Sequence, residues 1–307
     1  MKNKWMLIIN PKAGNGKGKR EWENISKIMS MEKIPFDYIF STHPYHAIEI
    51  VKEKVKEGYR KFVAVGGDGT LHDVVNGIMR ESEEIIKESC VAVIPVGNGN
   101  DWCRTYQIPF DYASAIQVLK KENCISQDLV QVHFMEEGKR KSRYIINMAG
   151  IGYDAVVCQK VIQQKEKGKS GQTRYLINLF SSLMSYKSVD ATIEIDGVKT
   201  EGELFSMNIG VCQYNGGGMK QLPNAVSDDG FLDVTITRKI SKSKIIRKIK
   251  MLFDGSFIEL PEVEIYKAKN VKVNSKTILP IEIDGEIMGK KPYEFSIIPK
   301  AINIIIK

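Results

Sequence analysis

The sequence has 307 residues, 43% hydrophobic and 27% charged, which excludes a mainly disordered chain and suits two domains of ordinary size. Its longest uncharged stretches, such as Tyr175 to Tyr186, fall short of the ~20 residues a membrane-spanning helix needs. The N-terminal apolar run, Trp5 to Ile9, is too short for a signal peptide. A net charge of +8 suits an anionic partner such as a nucleotide phosphate, a nucleic acid or an acidic membrane surface. Five scattered cysteines without a C-x-x-C pair read as reduced thiols in a cytoplasmic protein, and four histidines without ligand spacing argue against zinc.

In chain order, Trp5–Ile9 predicts a buried strand, followed by a glycine-rich loop and a helix near Arg20 to Met31. Phe36–Phe40, Phe62–Val65 and Cys90–Ile94 predict three more strands, with helices over Ala47–Gly58, Leu71–Arg80 and Ala113–Lys120. Short apolar strands alternating with amphipathic helices predict a parallel sheet with helices on both faces. Near Gln127 the pattern changes to consecutive strands: Leu129–Met135, Tyr144–Ala149, Val189–Ile195, Leu204–Cys212, Phe231–Thr237, Val263–Val273, Ile278–Ile283 and Tyr293–Ile298. Hairpin turns fall at Asp196-Gly197 and Asp284-Gly285, each inside a Glu-Ile-Asp-Gly stretch. The expected architecture is an α/β nucleotide-binding domain over 1–128, to which 299–307 returns, and an antiparallel β-sandwich over 129–298. Two helical stretches interrupt the second domain. Val156–Lys187 carries a lysine run at Lys165 to Lys169, and Arg238–Lys250 carries seven basic residues and no acid. The amphipathic face of Arg238–Phe253 suits either an anionic membrane surface or ordinary packing against the core, with packing favoured.

Three glycine-rich loops follow predicted parallel strands: Asn10-Pro11-Lys12-Ala13-Gly14-Asn15-Gly16-Lys17-Gly18, Gly66-Gly67-Asp68-Gly69-Thr70, and Gly97-Asn98-Gly99-Asn100-Asp101. The first matches neither a Walker loop nor the dinucleotide fingerprint. Glycines at a strand-to-helix turn let backbone approach a ligand, and helix-start amides favour phosphate. Open α/β sheets bind ligands at this edge, so three such loops together point to a nucleotide site. An aspartate within a phosphate loop makes sense through Mg²⁺, as a water-orienting group or as a base; the plain structural reading of Asp68 is a helix cap.

These loops, with Asn76-Gly77, Asn147–Asp154, Asn215–Gly218, Asp228–Asp233 and Asp284-Gly285-Glu286, resemble the diacylglycerol kinase catalytic-domain family, which includes bacterial lipid kinases and sphingosine and ceramide kinases. The resemblance spans nearly the whole chain in the right order. It implies ATP bound by the first domain, lipid held by the β-sandwich and an active site in the cleft between them. Asn10, Pro11, Lys12, Ala13, Gly14, Thr42, Gly66, Gly67, Asp68, Gly69, Thr70, Leu71, His72, Asn98, Gly99, Asn100 and Asp101 would surround the nucleotide. Glu286 would be the general base on the lipid hydroxyl, with Asp68 near the phosphates or Mg²⁺, or itself the base in a sphingosine kinase-type reading. Asp229, with the carbonyls of Val226 and Phe231, resembles a structural Mg²⁺ site. Asn98 departs from the family's usual threonine.

The expected activity is phosphoryl transfer from ATP to a lipid hydroxyl, most simply diacylglycerol, with sphingosine, ceramide and phosphatidylglycerol as other acceptors. An NAD kinase shares the Gly-Gly-Asp-Gly loop but lacks counterparts of the first and third loops. A non-catalytic lipid- or nucleotide-binding module would need neither Asp68 nor Glu286. Aromatics at 8%, without basic–aromatic interleaving, argue against nucleic acid. The expected partner is lipid at the membrane's inner face, and a homodimer through an edge strand is compatible with the pattern.

Overall fold

The computed structural model describes residues 2–166 and 172–307. The chain divides into two compact units, residues 1–127 with 300–307 and residues 128–299.

The N-terminal unit runs β1 (Trp5–Ile9), α1 (Ala13–Arg20), α2 (Trp22–Met31), β2 (Phe36–Phe40), α3 (His46–Lys56), β3 (Lys61–Gly66), α4 (Asp68–Ile78), α5 (Glu83–Glu88), β4 (Cys90–Pro95), α6 (Asp101–Thr105) and α7 (Tyr112–Lys121). The strands pair in parallel in the order β2-β1-β3-β4, and Asn303 and Ile304 add a further parallel pairing against Cys90 and Val91. All five residues of β1 are buried, as an unbroken apolar strand covered on both faces must be. Because β2 and β3 flank β1 on opposite sides, the chain reverses its direction of travel across the sheet there. The loops after β1 and β3 therefore border the switch point at which such sheets take ligands.

One local expectation is corrected. The first glycine-rich segment is not simply a loop: α1 already begins at Ala13, but Gly14, Asn15 and Gly16 have φ of 56°, 59° and 84°, so regular helix starts only at Lys17. A Cβ on Gly14 would lie 2.0 Å from the Val96 carbonyl oxygen, so the turn needs glycine for both its left-handed backbone and this approach.

The second unit continues through β5 (Cys124–Glu136), β6 (Lys139–Ile145), β7 (Met148–Gly152), α8 (Tyr153–Glu166), α9 (Gln172–Ser185), β8 (Val189–Ile195), β9 (Val198–Gly210), β10 (Leu232–Arg238), α10 (Lys242–Lys248), α11 (Met251–Asp254), β11 (Val263–Ala268), β12 (Asn270–Ser275), β13 (Ile281–Ile283), β14 (Glu286–Ile287) and β15 (Lys290–Ile305). Strand order is β14-β13-β7-β9-β8-β12-β15, with β10 between β9 and β11 and a β5–β6 hairpin beside β15. The expected strand Val263–Val273 is two strands, because at Lys269 the chain leaves the edge of β10 and joins β8 and β15. Asp196 in the β8–β9 turn holds that crossing by accepting the Lys269 and Asn270 amides.

The expected helix over Arg238–Phe253 is also shorter. Arg238 ends β10 and forks onto Glu264, and the helix starts at Lys242 behind the Ser241 cap. Ile245, Ile249 and Leu252 pack on a cluster of Tyr153, Val157, Leu179, Leu183, Phe205 and Met219. The lysine run at 165–169 lies outside the residues whose side chains are described. Among the described residues no helix is long and apolar enough to cross a membrane.

Candidate active site

In the N-terminal unit the three glycine-rich loops touch one another at the carboxyl ends of β1, β3 and β4. Asn10 donates from Nδ2 to Thr70 Oγ1 at 3.3 Å, joining the first loop to the second. The Val96 and Gly97 amides both donate to the Gly66 carbonyl, joining the second to the third. Gly97 is so close that a Cβ there would lie 2.5 Å from Gly67 Cα. Lys12 is exposed beside these loops and makes no ion pair among the described residues. Asn98 is exposed, and Asn100 sits at φ 53° with a buried Oδ1 that meets no donor. Thr42, after β2, shares His46 Nδ1 between its amide and its hydroxyl.

Not every expected nucleotide residue faces outward. Leu71 and His72 are 1% exposed, because α4 is buried on nearly every side; Asn76 donates to the His72 carbonyl at 2.9 Å. Only the backbone of these two residues is left to serve a ligand. Asp68 takes a structural part in addition to any chemical one. Its Oδ1 accepts the Trp102 amide at 3.1 Å and its Oδ2 accepts the Asp101 amide at 3.2 Å. It thus caps α6 rather than its own helix, and Trp102, fully buried, anchors α6 through Nε1 to Gln127. A Cβ on Gly99 would stand 3.1 Å from Asp68 Oδ2 and 3.4 Å from Asp101 Oδ2, so two hard oxygens border one glycine. Asp101 Oδ1 lies 3.3 Å from Arg104 Nε, so Asp101 Oδ2 and Asp68 Oδ2 are the oxygens that would serve Mg²⁺, which is usually held by one or two carboxylates plus substrate phosphates.

In the second unit three sequence motifs converge. Asp284, 4% exposed, accepts three successive backbone amides, from Ile146 at 3.0 Å, Asn147 at 3.1 Å and Met148 at 3.2 Å. Asn147 in turn donates to the Tyr214 carbonyl, and Asn215 donates to Glu282 Oε1 at 2.8 Å. Glu282 Oε2 accepts the Gly285 amide at 2.8 Å, which closes the β13–β14 turn from within. Asp284 and Gly285 have φ of 48° and 88°, the tight turn that Asp-Gly favours. Glu286 follows on β14, and its Oε2 is buried with no hydrogen-bond partner among the described residues. Every other carboxylate of this turn is committed to holding backbone.

Glu282 was not singled out from the sequence, yet it is 2% exposed. Burial pushes its carboxyl up to about 8, helped by Asp154 and Asp284 and opposed by the Gly285 amide and Asn215. Being raised, this group favours the folded state most below its unfolded value of about 4.5. That contribution is lost as pH rises through about 8, at about 1.4 kcal/mol per pH unit. Wild-type unfolding free energy should therefore fall more steeply between pH 5 and pH 8 than that of Glu282→Gln, measured by denaturant titration. Parallel curves for the two proteins would mean that Glu282 is ionised in the fold.

Asp154 also escaped notice as a site residue. It borders a narrow cavity of 70 Å³ whose walls include Tyr153, Leu179, Phe205, Ile245, Ile249 and Leu252. Its carboxylate accepts Gln221 Nε2 at 3.1 Å and Asn208 Nδ2 at 3.4 Å, and burial pushes its carboxyl up. A mostly apolar cavity with a few polar groups, here Asp154, Asn208, Gln221 and Lys248, is the usual form of a small-molecule site. The available signal was an acid directly after a strand-to-helix glycine turn, Gly152-Tyr153-Asp154.

At the expected structural Mg²⁺ residues the Asp229 carboxylate is paired with a lysine. The Lys267 ammonium lies against Asp229 Oδ2 and 3.6 Å from Asp233 Oδ2. Asp233 and Lys267 are direct cross-strand partners on β10 and β11, so the strand register itself brings the lysine there. Asp229 Oδ1 accepts the Phe231 amide, and Gly230 donates to Asp128. As placed, Lys267 supplies the positive charge beside this loop.

Comparison with known proteins agrees with this arrangement. Residues 4–132 match the diacylglycerol kinase catalytic domain, and residues 147–306 match the YegS C-terminal NAD kinase beta sandwich-like domain. The chain is 30% identical over 307 residues to a diacylglycerol kinase of Staphylococcus carnosus (strain TM300), covering 99% of this chain and 95% of that protein. It is 30% identical over 306 residues to a diacylglycerol kinase of Staphylococcus aureus (strain bovine RF122 / ET3-1), covering 99% and 92%. The fold is similar to a crystal structure of a diacylglycerol kinase from Bacillus anthracis str. Sterne, with a TM-score of 0.74 at 22% identity, covering 99% of this chain and 97% of that one. An α/β region followed by a β-sandwich-like domain, expected from the strand pattern, is thus borne out, and the chain belongs to the diacylglycerol kinase family of lipid kinases.

Proposed function

We propose that this protein transfers the γ-phosphoryl group of ATP to the free hydroxyl of diacylglycerol, giving phosphatidic acid and ADP. The observation that carries the reading is the buried, unpartnered Glu286 Oε2 in a turn whose other polar groups are bonded. Glu286 takes the proton from the acceptor hydroxyl as that oxygen bonds to phosphorus, and the bond from phosphorus to the ADP oxygen breaks. Lys12, Asn10, Thr42 and the loop amides around Gly66–Thr70 and Gly97–Asp101 hold the phosphates. Asp68 and Asp101 would hold Mg²⁺, which neutralises phosphate charge. Asp68, bonded to the α6 amides, positions the third loop, which leaves Glu286 as the base. The polar end of the cavity at Asp154, Gln221 and Asn208 suits the glycerol and ester part of a lipid, with acyl chain along its apolar walls. At 70 Å³ the cavity must widen to take a chain, and residues of α10 and α11 form part of its wall.

The test is labelled-ATP transfer in micelles to diacylglycerol, sphingosine, ceramide, phosphatidylglycerol and undecaprenol, each with and without Mg²⁺, beside an arm with NAD. Mg²⁺-dependent product from diacylglycerol is the expected result. Product from another lipid alone would reassign the substrate, saturable product from NAD would replace the reading, and no product from any acceptor would leave a binding module.

Gly97→Ala probes the nucleotide half separately. The added Cβ would lie 2.5 Å from Gly67 Cα and 2.6 Å from Asn100 Oδ1, so the second and third loops must part. ATP affinity should fall about tenfold or more by calorimetric titration. Unchanged affinity would show that contact between these loops does not shape the nucleotide site.

A further inference from the structure

The outer face of α10 and α11 has no partner among the described residues. Ile246 and Phe253, seven residues apart and so on one side of a helical path, are each 44% exposed. Lys250 lies between them on the same side and Arg247 adjoins it, whereas Lys248 lines the cavity on the inner side. From Arg238 to Phe253 the sequence has no acid, and Arg247, Lys248 and Lys250 make no ion pair among the described residues, whereas Arg238, Lys239 and Lys244 are paired to Glu264, Glu203 and Glu262. The neighbouring α9 adds Met184, 67% exposed, whose carbonyl accepts Lys242 Nζ at 2.6 Å. Single exposed apolar residues are ordinary. Here they stand among unpaired cations, and the inner face of the same helices, Ile245, Ile249 and Leu252, walls the cavity that ends at Asp154.

We infer that the Ile246–Lys250–Phe253 face seats the protein on an anionic phospholipid bilayer, so that the element touching the membrane is also a wall of the lipid cavity. The assignment of that cavity to lipid rests on the proposed function; the docking face itself does not. Charge complementarity selects the occupant. Unpaired lysine and arginine beside apolar side chains match a surface with anionic headgroups over hydrocarbon, whereas a zwitterionic surface gives the cations no gain. Apolar tips enter the interface while cations stay at headgroup level.

The experiment is flotation with vesicles of phosphatidylcholine alone and of phosphatidylcholine mixed with phosphatidylglycerol, without diacylglycerol or nucleotide. The unmodified protein should bind the mixed vesicles and not the neutral ones, and added salt should weaken binding. Arg247→Ser with Lys250→Ser should weaken binding about thirtyfold, and Ile246→Ser with Phe253→Ser about tenfold or more. Thermal midpoints should stay put, since none of the four side chains is buried. Transfer to a short-chain diacylglycerol dissolved below its micelle concentration should be unchanged in both double variants. Full transfer by the unmodified protein, with vesicle binding equal in all three proteins or indifferent to phosphatidylglycerol, would overturn the docking face and leave the function standing. The expected binding pattern with no transfer to any lipid would uphold the face and sink the function.

Discussion

Glu286→Gln is expected to lower phosphoryl transfer by about a thousandfold while leaving the fold and ATP affinity intact. The amide keeps the size of the carboxyl and its half-buried place on β14 but cannot take a proton. Glu286 bears no structural hydrogen bond at Oε2, so thermal unfolding should not register the change. The sister turn supports this separation. Asp196-Gly197 follows the same Glu-Ile pair and continues with Val198, so the hairpin itself does not call for glutamate. Asp68→Asn is the informative companion. Its two oxygens hold the Asp101 and Trp102 amides, so the variant should disturb α6 and weaken ATP binding as well as turnover. A rate measured at saturating ATP, together with a direct ATP titration, separates the two. Glu286→Gln with near-normal turnover would pass the role of base to Asp68.

The parallel sheet and its three loops were legible in the sequence because their signals are local. A fully buried strand must be apolar throughout, and glycines crowd wherever backbones meet, as at Gly14, Gly67 and Gly97. The β-sandwich was legible as a set of strands, but its corners were not. Lys269 reads as part of one long strand until its neighbours on both sides are known. Carboxylates were the harder case. Asp68, Glu282 and Asp284 look alike as letters, yet one caps a distant helix, one is buried with its carboxyl pushed up, and one binds three amides. Their partners lie 33 to 138 residues away, apart from Gly285, beside Glu282 in the turn itself. The role of Lys267 was hidden for the same reason, since only strand register sets it opposite Asp233.

Asp284→Ala should be the most destabilising substitution in the second unit that removes only a polar group. It leaves the amides of Ile146, Asn147 and Met148 buried without their carboxylate, and an unsatisfied buried donor costs about 1–3 kcal/mol. These losses share one acceptor and do not add fully, so the expected cost is about 3–5 kcal/mol in unfolding free energy. Asp284→Asn should recover part of it, since one side-chain oxygen remains, while its amide group would face a donor. The internal control is Asp196→Ala. Asp196 occupies the same place in the other Glu-Ile-Asp-Gly turn and accepts two amides, but it is exposed, so water replaces it and the cost should be about 0.5–1.5 kcal/mol. Activity should separate the two turns further. Losing the Asp284 anchor frees the β13–β14 turn, and Glu286 moves with it, so transfer should fall well below what the remaining folded fraction would give. Equal stability losses at Asp284 and Asp196 would show that burial adds nothing to the first turn. Full specific activity of folded Asp284→Ala would show that Glu286 does not depend on the anchor for its placement.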